Sequence, residues 1–154
     1  VFELILYQPE IPPNTGNIIR VCANTGTSLH VVHPLGFELD DRRLRRAGLD
    51  YHEFTAITEH ATLEACLAGF TDRRIFALST RGRCSYADVN YRPGDVFLLG
   101  PETRGLPQEV LDGLPPDQQL RIPMRPDNRS LNLANAASIL VYEAWRQQGF
   151  EGGG

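Results

Sequence analysis

The chain has 154 residues, of which 42% are hydrophobic and 22% charged, with a formal charge of −4. These values are ordinary for one globular domain, expected over residues 1–150 with a flexible tail at 151–154. They weigh against a uniformly basic nucleic-acid-binding surface, although all 15 cations are arginine, whose planar fork suits phosphate.

No apolar run reaches the 18 or more residues of a membrane span, and no signal peptide is evident. Cys22, Cys66 and Cys84 are odd in number and unrelated in spacing. That argues against a disulfide framework and for a reducing, cytoplasmic setting.

Phe2 to Tyr7 is an apolar run and reads as a buried strand. After a proline-punctuated loop, Asn14 and Thr15 are cap candidates for a helix to about Thr25, with Gly26 at a left-handed C-cap. Ser28 to Val32 reads as a second strand. Asp40 then caps a short helix carrying Arg42, Arg43, Arg45 and Arg46, which ends near Gly48. Tyr51 to Ile57 is ambiguous, with some strand character. Thr58 or Glu59 is expected to open an amphipathic helix to Ala68, closed by Gly69.

Arg74 to Leu78 and Asp95 to Leu99 read as strands, followed by a short helix from Pro107. Leu120 to Ile122 is the last strand. A polar loop with Pro123 and Pro126 leads to one long helix, with Asp127, Asn128 and Ser130 as cap candidates. Leu133, Ala137, Leu140, Val141 and Ala144 form its apolar face, and Ala134, Ala136 and Ala137 allow close backbone approach.

Strands alternating with helices imply an α/β fold, a mostly parallel sheet with helices on both faces. Such sheets bind ligands beyond the carboxyl ends of their strands. Three polar or glycine-rich loops occupy those ends: residues 79–85, 100–106 and 123–130. Their convergence points to a site, although glycine-rich loops also occur for geometry alone.

Several chemistries are disfavoured. No G-x-G-x-x-G or P-loop pattern is present, and no G-x-S-x-G elbow. His30 and His33, at i and i+3 on a predicted strand, point to opposite faces, with no cysteine near enough to help. His52 and His60 read as surface or loop residues, so no metal site is expected. Arg20, alone, is best read as a surface arginine snorkelling from its helix. Glu102, alone, could be a loop ion-pair partner.

The stretches PPNTGNIIRVCANTG, LLGPETRGLP and IPMRPDNRSLNLANAASILVYEAWRQ resemble the three motifs of the SPOUT (trefoil-knot) RNA methyltransferases. Within them, the chain is most similar to the small bacterial TrmL/YibK-type tRNA (cytidine/uridine-34)-2′-O-methyltransferases. The resemblance runs from Leu4 to about Gly149.

It implies an α/β knot that binds S-adenosylmethionine, with contacts at Leu78, Gly100, Ile122 and Ser130 and with Met124 and Leu131 as neighbours. It assigns Arg20 to the ribose hydroxyl, supported by Asn14, Glu102, Ser130 and Asn132. It further implies a homodimer joined through the first helix and the small-residue face of the last. The RNA partner would be a tRNA anticodon stem-loop, of leucine isoacceptors, held by Arg42, Arg43, Arg45, Arg46 and Arg129. For the 42–46 cluster a solvated helix face is an equal alternative. A sibling activity on another tRNA or rRNA ribose, and a non-catalytic RNA-binding module, are the competing readings.

Overall fold

Apolar runs alternate with helices along the chain and assemble into one parallel sheet. The structure is a computed structural model and describes residues 1–50, 56–128 and 130–154. Among these residues the strands are β1 (Glu3–Tyr7), β2 (Ser28–Val32), β3 (Ile57–His60), β4 (Ile75–Leu78), β5 (Cys84–Ser85), β6 (Val96–Leu99) and β7 (Gln119–Arg121). They lie in the order β3-β2-β1-β6-β4-β7-β5, and every pairing is parallel.

The helices are α1 (Pro12–Thr25), α2 (Asp41–Arg46), α3 (Leu63–Leu67), α4 (Gln108–Asp112) and α5 (Leu133–Gln147). Side chains alternate across the strands. Leu4, Leu6, Phe97 and Leu99 therefore join Ile18, Cys22, Ala137 and Leu140 in the core under α1 and α5. Ile5, Val96 and Leu98 join Cys66 and Leu111 on the other face, under α3 and α4. With both faces covered, β6 is buried at every position, which explains its unbroken apolar sequence.

The expected α/β architecture is present, but several boundaries differ. Asn14 and Thr15 do not cap α1; they lie inside its first turn, because Pro12 and Pro13 occupy the opening positions where no N–H is needed. Gly26 closes α1 at φ 72° as expected. Residues 57–60 are a strand paired with β2, not the start of a helix. Thr62 caps the helix that follows, accepting from the Ala65 N–H. The expected tract 51–57 lies outside the described residues up to position 55. The two-residue strand β5 falls in a stretch read as loop.

α5 is capped by Asn132, whose side-chain oxygen accepts from the Ala134 and Asn135 N–H groups at 2.9 and 3.2 Å. The nominated Asp127 and Asn128 sit in a turn instead, with Asp127 at φ 74°. The small-residue face of α5 is used within the chain: Ala134, Ala137 and Ala144 are buried in the core shared with α1. Beyond α5 the tail turns back, and the Trp145 indole N–H donates to the Glu151 carbonyl at 2.9 Å.

The wrongly assigned 58–68 segment also hid a histidine pair. His30 does not act with His33. Its Nδ1 lies 2.9 Å from Nε2 of His60, and Cys66 is close by. His60, expected as a surface or loop residue, instead ends strand β3 and is half-buried, and a cysteine does lie near His30.

The order of β4, β7 and β5 has a topological result. β4 and β5 are consecutive in sequence, yet β7, from much later in the chain, lies between them. The connection 79–83 must therefore span β7. It holds that strand from both sides: Ser79 N–H donates to Leu120 O at 3.0 Å, and Arg83 N–H to Gln119 O at 2.8 Å. Gly82 crosses so closely that a Cβ there would lie 2.1 Å from Leu120 O. The later chain thus passes beneath an earlier loop, an exception to the usual rule that chains do not thread.

Candidate active site

At the carboxyl ends of β4, β6 and β7 the three expected loops enclose a cavity of about 530 Å³. Leu78, Ile122, Met124 and Leu131 supply apolar wall, while Gly100 and Ser130 contribute backbone and small polar surface. The four positions expected as cofactor contacts and their two expected neighbours all line this one cavity. Gly100 is obligatory here for a steric reason: a Cβ would lie 2.4 Å from the Leu106 nitrogen, so only glycine lets the 100–106 loop fold back on its strand.

Glu102 organises the mouth. The N-cap position of α1, Ile11, makes no side-chain capping bond. The Glu102 carboxylate takes over that task from 91 residues away: it accepts the Ile11 N–H at 2.6 Å and the Glu10 N–H at 2.9 Å. Its charge sits at the positive end of the α1 dipole. Glu102 also accepts from Asn14 Nδ2 at 3.3 Å. Asn14 in turn accepts from Asn132 Nδ2 at 3.0 Å. The run Glu102–Asn14–Asn132 thus ties the β6 loop, the start of α1 and the start of α5 at one rim.

Two residues were not anticipated. Glu10 accepts from the Thr103 N–H and hydroxyl at 2.9 and 2.7 Å, and these bonds hold its carboxyl below the usual range. Arg81 donates to Leu106 O at 2.7 Å and to Gln108, bracing the 79–83 loop against the 100–106 loop. Both act across long sequence separations and carry no local motif.

Arg20 is not brought to this rim within the chain. It is exposed, lies outside the cavity lining, and donates to the Gly48 carbonyl just past α2. Helix geometry explains the separation. Six residues beyond Asn14 corresponds to about 240° of net rotation and roughly 9 Å of rise. Arg20 therefore faces α2, where Arg42, Arg43, Arg45 and Arg46 are all exposed around the buried anchor Leu44. Arg43 is engaged by Asp40 at 3.5 Å and by Glu38 at 3.9 Å. Arg129 lies outside the described residues.

A parallel sheet with a later strand threaded beneath an earlier loop, and a cavity at that crossing, coincides with a profile match. The SpoU rRNA Methylase family profile covers residues 2–142. The chain belongs to this family. As a SpoU family member it has the trefoil-knot α/β fold of the SPOUT superfamily.

It is 59% identical over 152 residues to the tRNA (cytidine(34)-2′-O)-methyltransferase of Escherichia coli K12, covering 99% of this chain and 97% of that one. A candidate RNA methyltransferase from Bacillus anthracis superposes with a TM-score of 0.92 at 46% identity, covering 99% and 98% of the two chains. An rRNA methyltransferase from Sinorhizobium meliloti, solved with S-adenosylmethionine bound, superposes at 0.78 and 27% identity, covering 94% of this SpoU member and 56% of that chain. No helix among the described residues is long and apolar enough to cross a membrane.

Proposed function

We propose that this protein is an S-adenosylmethionine-dependent tRNA methyltransferase that acts on the ribose 2′-oxygen of the wobble nucleotide, cytidine or uridine 34. We assign leucine isoacceptors as its substrates, bound through the anticodon stem-loop, and a homodimer as its working form. The observation that carries this reading is the Glu102–Asn14–Asn132 rim closing a cavity built on the knot. The E. coli relative supplies the substrate class.

The cavity fits the cofactor by its own chemistry. Its apolar walls suit an adenine ring, and its exposed backbone at the strand ends suits the hydrogen-bonding edge of that ring. Leu78, Gly100, Ile122, Met124, Ser130 and Leu131 would hold it. When bound, the cofactor supplies a methyl group on a sulfonium sulfur.

The chain's own residues then position the acceptor. A ribose hydroxyl is a weak nucleophile whose developing negative charge needs stabilising. Arg20 suits that role, since a guanidinium stays protonated and can orient a hydroxyl or a phosphate as a fixed cation. Asn14 and Asn132 offer neutral amides at the rim. Arg20 and the rim are separated within one chain, which supports a dimer in which a second copy completes the site. Arg42, Arg43, Arg45, Arg46 and Arg129 would hold the RNA backbone.

Transfer of tritiated methyl groups to bulk tRNA, followed by mass-spectrometric mapping, tests this. A 2′-O-methyl mark at position 34 of leucine tRNA is expected. A mark on another ribose would favour the sibling reading, for which the family's rRNA members speak. No transfer at all would favour a non-catalytic RNA-binding module.

A further inference from the structure

The far edge of the sheet holds a second cluster of chemistry-bearing side chains, which the methyl-transfer site does not use. His30 on β2, His60 on β3 and Cys66 on α3 each bring one ligand atom within 4.8 Å of the others, and His30 Nδ1 and His60 Nε2 are the ring nitrogens that meet. The register explains the meeting. His30 pairs with Ile5 on β1 and Thr58 on β3, so Glu3, His30 and His60 lie on one face of the sheet. That is the face covered by α3, where Cys66 and Phe70 sit in the core and the Phe70 ring stands edge-on to His30.

Glu3 sets the chemistry of His30. Its carboxylate lies 2.8 Å from His30 Nε2, and both side chains are nearly buried, at 13% and 12% exposure. A carboxylate in contact with Nε2 keeps the proton there, which turns the lone pair of Nδ1 outward. That lone pair points at His60 Nε2, 2.9 Å away. Two ring nitrogens at this distance can share one proton or one cation, but cannot both carry protons.

We propose that His30 Nδ1, His60 Nε2 and Cys66 Sγ form a binding site for a divalent metal ion of the zinc class, with Glu3 as the outer carboxylate that orients His30. Two imidazoles and a thiolate are the donor set of zinc and of cobalt(II) used in its place. On binding, the shared His30–His60 proton moves to the far nitrogen of His60, and the Cys66 thiol releases its proton to solvent. The thiolate and Glu3, whose other oxygen lies 3.6 Å from the Arg73 guanidinium, offset the ion's charge. Water takes the remaining position. A carboxylate behind a ligating histidine fixes the ring's tautomer and orientation. Here the ion would pin the edge strand β3 and α3 to β2, remote from the knot.

The test is cobalt titration of untagged, chelator-stripped protein, followed by absorption spectroscopy. One equivalent should give the intense visible bands of a tetrahedral ion together with a thiolate-to-cobalt charge-transfer band, both displaced by zinc. Cys66→Ser should abolish the charge-transfer band, and His60→Gln should abolish tight binding. Glu3→Gln should keep the band while weakening affinity about tenfold. His33→Ala should change nothing. Each variant's metal-free circular dichroism is compared with wild type, and if Cys66→Ser does not fold, His60→Gln carries the test. Absence of a tetrahedral cobalt spectrum in the wild type overturns the proposal. So does a spectrum unchanged in the foldable ligand variants.

Discussion

Asn132 donates a side-chain N–H to the Asn14 side-chain oxygen at 3.0 Å, joining two residues 118 positions apart. The same Asn132 accepts two backbone N–H groups at the start of α5. One side chain thus caps a helix with its oxygen and ties down α1 with its nitrogen.

These two jobs separate by substitution. Asn132→Ala should lose both, costing about 1 kcal/mol for the cap and lowering Tm by roughly 2–4 °C. Asn132→Asp keeps the cap oxygen but loses the donor to Asn14. It should unfold near the wild-type temperature yet transfer methyl groups poorly. Differential scanning calorimetry beside a turnover assay reads the two effects apart.

Glu102 meets three donors with two oxygens. In Glu102→Gln, one of those oxygens becomes an NH₂ group facing N–H donors. The expected cost is about 1–3 kcal/mol, concentrated at the start of α1. Hydrogen exchange should show faster exchange at residues 10–15 than in the wild type. Uniform protection there would count against the capping role.

Gly82 and Gly69 make a matched pair. At Gly82 a methyl group would meet Leu120 O at 2.1 Å, whereas at Gly69 it would meet nothing within 4 Å. Gly82→Ala should destabilise by about 1–3 kcal/mol or more and weaken cofactor binding. Gly69→Ala should be neutral or slightly stabilising. Urea unfolding and calorimetric titration with S-adenosylmethionine compare them directly.

Arg20→Ala should lower methyl transfer by about 100-fold or more, as expected when a charge-stabilising group is removed. Cofactor affinity should remain near wild type, since Arg20 does not line the cavity. Arg20→Lys keeps the charge but not the planar fork and should recover only part of the rate. A parallel loss of cofactor binding would sink the assignment.

The exposed arginines of α2 predict a salt effect. Replacing Arg42, Arg45 and Arg46 with serine should reduce the slope of log affinity for tRNA against log salt by roughly 2–3. Filter binding across a salt series measures it. An unchanged slope would mark α2 as a merely solvated face.

Much of this molecule is legible from its residues. The runs FELILY and VFLL announce buried strands because a sheet covered on both faces favours apolar residues at successive positions. The three loops at strand ends could be placed at one site by the geometry of parallel sheets alone. Other features leave no local trace. Ile57–His60 is short, and its Thr-Glu-His sequence reads as a helix opening until pairing with β2 is known. The bonds from Glu102 to α1 and from Glu10 to Thr103 span about 90 residues, so no window could reveal them. Arg20 and Asn14 are neighbours in a motif yet face different directions on one helix.

β4 and β5 leave the ribosome long before the strand that will occupy the space between them. A nascent chain ending before Gln119 lacks the strand that pairs with both β4 and β5, and the last quarter of the protein completes the receptor. Donor recognition is therefore a property of the finished chain: fragments cut between β5 and β7 should bind no S-adenosylmethionine, however well their remaining strands pair.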